Sequence, residues 1–138
     1  MNLTRILLAA AGGFAAYFIL GFVMMAGPSA RSEFLKYPSV YRPVEAMKSV
    51  MPIGMAAMFV AILSLAALYA WLNPAGSGLA AGARFGALIG VFSIGSFVVH
   101  NYVNLNIGWK LTLEQSIAYF VEWVAVGITF GLIYRPAP

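Results

Sequence analysis

Four apolar stretches, at residues 3–26, 50–72, 79–103 and 112–134, fill most of this chain. Each runs to about 20 residues or more with few or no charges, enough to cross a hydrocarbon core about 30 Å thick. That pattern predicts an all-α polytopic membrane protein. Its four transmembrane helices should form an antiparallel bundle with one longer interfacial loop after the first helix. The whole of residues 1–138 then reads as a single integral-membrane domain, with the lipid bilayer as its first partner. Composition agrees, because 62% of the residues are hydrophobic and only 9% are charged, far from the balance of a soluble domain.

The formal charge of +4 does not mark a nucleic-acid binder. Arg5, Arg31, Lys36, Arg42, Lys48, Arg84, Lys110 and Arg135 all lie at or near span ends, where cations anchor helices and set topology. The side carrying the first and third connections has more cations than the side carrying the termini, which favours a cytoplasmic long loop. The first span follows Arg5 and precedes small residues, as a signal peptide would. Its apolar run is longer than an h-region, so we read it as a retained helix. Cysteine is absent, which removes disulfides, thiolate metal sites and cysteine nucleophiles.

The loop from Gly27 to Ser49 mixes tyrosines with cations and should lie along the interface. Within it, Ser29–Lys36 is expected to form one or two helical turns, ending before Pro38. Pro43 can open a further helix, which would meet Pro52 if it continued into the membrane. Met51, Met55 and Met58 read as an adaptable packing face. Gly82, Gly86 and Gly90 recur every four residues, and Gly127 and Gly131 give the last helix a small face as well. Such stripes let helix backbones approach closely, either within the chain or in a homo-oligomer or larger complex. Asn73-Pro74 and Arg135-Pro136 read as helix stops, and Thr112 with Gln115 resembles a capping box opening the fourth helix.

Chemistry must be sought among the few polar groups inside the spans. Glu122 lies about 15 Å into a helix beginning at Thr112, near the bilayer centre. A carboxyl there has to be protonated, paired or in contact with water. Gln115, Tyr119, Glu122 and Thr129 share its helix face, while Ser96, His100 and Asn104 form a stripe on the preceding helix. Folding the two helices together predicts contact between His100 and Tyr119, with Ser96 nearer the level of Glu122. The candidate cluster is therefore Glu122, His100, Tyr119, Asn104, Ser96 and Gln115.

This cluster is compatible with three roles. It can lock helices in register in a non-enzymatic packing or accessory-subunit role, the leading expectation. Alternatively, Glu122 can serve a homodimeric proton-coupled carrier of small molecules. A third reading is an intramembrane acid–base enzyme acting on a lipid-like substrate. With one histidine, no aspartate and no nucleophile elbow, catalysis has little to work with, and neither a metal nor another cofactor is expected.

The segment His100-Asn101-Tyr102, with Lys110-Leu111, Ala118-Tyr119, Gly127 and Gly131, resembles a family of small bacterial four-helix membrane proteins with no assigned activity. The resemblance covers mainly residues 100–134. It implies a multi-pass protein of the bacterial cytoplasmic membrane and transfers no site residue. Small multidrug-resistance exporters are similar in size and helix count and use one membrane-embedded glutamate per subunit of a dimer. Their glutamate lies in the first span, whereas the first span here has no acid and Glu122 lies in the fourth.

Overall fold

The computed structural model describes residues 2–73 and 78–134, and they are helical nearly throughout. In chain order the helices are α1 (Leu3–Met25), α2 (Pro28–Phe34), α3 (Val44–Leu72), α4 (Leu79–Ser93), α5 (His100–Asn104) and α6 (Trp109–Ile133). A π-helical turn, Ile94–Val99, joins α4 to α5 without a break, so Leu79–Asn104 acts as one span. Four segments are thus long and apolar enough to cross a membrane, and the chain is an integral multi-pass membrane protein with an antiparallel helical bundle.

Several boundaries differ from the sequence reading for local reasons. The fourth span begins at Trp109, one turn early, because extended Gly108 sits at its N-cap. The expected capping box does not form. Thr112 Oγ1 instead bonds back to the Gly108 carbonyl at 3.2 Å, while the Gln115 amide reaches Tyr41. The second span starts at Val44 behind Pro43 and runs straight through Pro52, which leaves the Lys48 carbonyl without its helical donor. The interfacial helix is shifted by one residue and shortened to Pro28–Phe34, with Pro28 at its start. Asn73 ends α3 as expected, whereas Pro74 and the stop at Arg135-Pro136 lie outside the described residues.

Glycines fix the central packing. Gly82, Gly86 and Gly90 are all buried, and a Cβ at Gly82 or Gly86 would run into the backbone of α6 at Gly127 or Trp123. Gly127 and Gly131 meet α4 in the same way from the other side. Lipid tails are as apolar as leucine, so close backbone approach of this kind is what holds membrane helices together. The partner of the glycine stripe is therefore α6 of the same chain. On its other side α6 packs antiparallel against α1, with Gly13 of α1 under Phe130 and Val126.

Helix α3 joins only at one end. Its second half buries Ile62, Ala66, Tyr69 and Ala70, and the Tyr69 ring touches Phe85, Phe130 and Tyr134. Its first half, through Ala57, is exposed almost throughout. The bundle is consequently closed at the Tyr69 end and splayed at the Met51 end.

Candidate intramembrane cleft

The splay of α3 leaves a cleft of about 530 Å³, within the size range of small-molecule sites. Its walls come from Tyr17, Phe18, Gly21, Phe22 and Met25 of α1, Phe34 of α2, Met51 and Met55 of α3, and Gln115, Tyr119 and Glu122 of α6. Apolar groups dominate the lining. Phe22, Met51 and Met55 at its edge are exposed, so in a bilayer the mouth faces hydrocarbon.

Glu122 is the fourteenth of the 25 residues of α6, at the middle of the span, and only 3% of its surface is exposed. Two features of α1 make room for it. Gly21 lies flat against the carboxyl, where a Cβ would stand 3.0 Å from Oε1. One turn earlier, the Tyr17 hydroxyl lies beside both the Glu122 carboxyl and the Tyr119 hydroxyl. The Tyr17 ring is held by Trp123, with centroids 5.3 Å apart. Among the described residues no Lys, Arg or His side chain lines the cleft, so Glu122 has phenol neighbours and no countercharge from them.

The interfacial end is closed by α2 and the loop after it. Phe34 packs edge-on against Tyr41 at 4.8 Å, and the Tyr41 hydroxyl accepts from Gln115 Nε2 at 3.5 Å. Beside this cover lies a polar clasp. Glu33 is 2% exposed, and its Oε1 accepts from Lys36 Nζ at 2.6 Å and Lys110 Nζ at 2.8 Å. Hydrogen bonds from Lys110 and then Lys36 hold the Glu33 carboxyl below the usual carboxylate range. Ser29 Oγ donates to Glu114 at 2.6 Å, and the Gly108 amide donates to the Tyr37 hydroxyl at 2.9 Å. Both bonds tie the cover to the first turns of α6.

Of the six candidate polar residues, Glu122, Tyr119 and Gln115 share the cleft. The other three lie elsewhere. Ser96 bonds to the Phe92 carbonyl of its own helix at 2.7 Å, Asn104 bonds to the His100 carbonyl at 2.8 Å, and the His100 side chain is exposed. Phe97 presents its ring to Tyr119, at 5.6 Å, because the π turn changes which side chains of this span face α6. Thr129 bonds back to Ala125 in its own helix. Among the described residues no group of three His, Cys, Asp or Glu stands together as a metal site would require.

The sequence reading missed Tyr17 and Gly21. Tyr17 was visible in principle, since it is the one polar side chain in the middle of the first span. That Gly21 faces a carboxyl depends on the pairing of α1 with α6. Comparison with protein-family models, curated proteins and solved structures gives no match to this chain.

Proposed function

We propose that this chain is a binding protein or carrier of the bacterial cytoplasmic membrane that admits an amphiphilic small molecule sideways from the bilayer. The tail of the ligand lies along Phe22, Met51 and Met55, and its polar head sits at Glu122. The observation that carries this reading is the position of the buried mid-span carboxyl on the lining of an apolar cleft. Binding clefts combine apolar walls with a few convergent polar groups in this way, and ionisable groups inside a membrane are functional candidates. Protons compete with any head group that needs the ionised carboxylate, which is the elementary requirement for coupling transport to a proton.

The test uses two photoreactive probes with the same alkyl chain, one ending in an alcohol and one in an amine, added to protein in phosphatidylcholine nanodiscs. Labelling by at least one probe should concentrate on Phe22, Met51 and Met55 and fall severalfold in Met55→Trp, which fills the cleft. Labelling by both probes spread evenly over outward residues such as Leu88 and Val91 would sink the proposal.

An accessory-subunit role draws on a different observation, the exposed first half of α3. Crosslinking from Ile53→Cys to a different protein in native membranes would favour that role. Labelling of Ile53→Cys by lipid alone would count against it.

A further inference from the structure

Resting on the cleft reading above, we infer that the ligand is a single-chain amphiphile with a protonated amine head, its ammonium neutralised by Glu122. Three features of the cleft argue for this head group.

The first is charge. Among the described lining residues Glu122 is the only ionisable acid or base apart from the two tyrosine phenols, and no cationic side chain enters the cleft from α1, α2, α3 or α6. The ammonium groups of the interfacial clasp, Lys36 and Lys110, are engaged by Glu33, and Lys48 of α3 is engaged by Glu45. A carboxylate without a countercharge selects a cation, because a second anion would be repelled and a neutral head would leave the charge unpaired.

The second feature is the acceptor set. An ammonium group donates up to three hydrogen bonds. Glu122 contributes carboxyl oxygens, Tyr119 a phenol oxygen and Gln115 an amide oxygen, all on one face of α6 and all lining the same cleft. Hydrogen bonds with an ionised partner are the strong ones, and a quaternary ammonium has no protons with which to make them.

Aromatic rings supply the third. Tyr17, Phe18, Phe22, Phe34 and Tyr119 all line the cleft. Ring faces attract cations, more so where water is excluded. Beyond them Met51 and Met55 offer flexible, polarisable side chains that adapt to an alkyl tail.

The experiment compares dodecylamine with dodecanol in competition against the photoreactive amine probe, using full-length protein in phosphatidylcholine nanodiscs. Dodecylamine should compete more tightly than dodecanol by on the order of tenfold or more, the scale of a hydrogen bond to a charged group. The preference should vanish in Glu122→Gln and should grow with pH across the titration of Glu122, since protons and the ammonium compete for one carboxylate. Equal competition by the two compounds in the wild-type protein would overturn the amine assignment, as would a preference that survives in Glu122→Gln. Cleft labelling by the alcohol probe, lost in Met55→Trp, would persist in that case, so the broader reading stands or falls separately. A thermal melt of Glu122→Gln matching that of wild type excludes unfolding as the cause of lost preference. If that variant does not fold, Gly21→Ala, which crowds the carboxyl without removing it, should narrow the preference, and an unchanged ratio there overturns the assignment.

Discussion

At the scale of single residues, the glycines separate cleanly by what surrounds them. A side chain at Gly86 has no space, since its first carbon would collide with the α6 backbone at Trp123 and Val124. Gly54 and Gly95, by contrast, have nothing within 4 Å of a built Cβ. Gly86→Leu should therefore destabilise the protein by about 1–3 kcal/mol or more through overpacking. Gly54→Ala should be neutral or stabilise it by roughly 0.5–1 kcal/mol through helix propensity. Thermal unfolding in detergent checks both, and equal melting temperatures for the two variants would contradict this account of α4–α6 packing. Gly21 belongs to neither group, because what it faces is the Glu122 carboxyl.

At the scale of elements, α2 is too short to be stable alone, and its attachments hold it in place. Its Glu33 carboxylate is bound by Lys110 and Lys36, so its proton affinity is lower in the folded protein than in the unfolded chain. The sign follows from linkage. The clasp contributes fully above the unfolded carboxylate value of about 4.3, and that contribution is lost as pH falls through the lower folded value. Acidification into that window should loosen the cover over the cleft, raising proteolysis or hydrogen exchange at residues 28–41. Glu33→Gln should show the loosened state already at neutral pH. Protection that is independent of pH in wild type, or unchanged in Glu33→Gln, would remove the clasp from the account. The π turn acts at the same scale, altering how a long span presents its faces.

For the whole molecule, the decisive feature is asymmetry between the two ends of the bundle. The Tyr69 end is locked by contacts among four aromatic rings, while the Met51 end has α3 standing away. The chain has no cysteine of its own, so spin labels can be placed pairwise without background. Labels at Met51→Cys and Ile117→Cys should give a broad distance distribution that narrows when a cleft ligand binds. Labels at Leu68→Cys and Leu132→Cys should give a narrow distribution unaffected by ligand. Identical widths at both ends would mean that the helices move as one rigid body and that the cleft does not open from one side.

Four spans, their antiparallel order, the interfacial loop and the isolation of Glu122 were legible in the chain itself. The bilayer imposes length and apolarity on each span locally, so a sequence has to display them. Other properties depended on which helix faces which. The same glycine stripe serves α6 or a second copy equally well until the helices are paired, and no periodicity announces that α3 joins at one end only. His100 and Tyr119 looked like neighbours on a straight helix, but the π turn sets Phe97 there instead. Tyr17 and Glu122 are more than a hundred residues apart in sequence, and only the antiparallel packing of α1 on α6 brings phenol and carboxyl into one cleft. The sequence determines which groups the membrane must accommodate, because burial cost is a property of each residue. Tertiary structure decides which of them meet, because contact is a property of pairs.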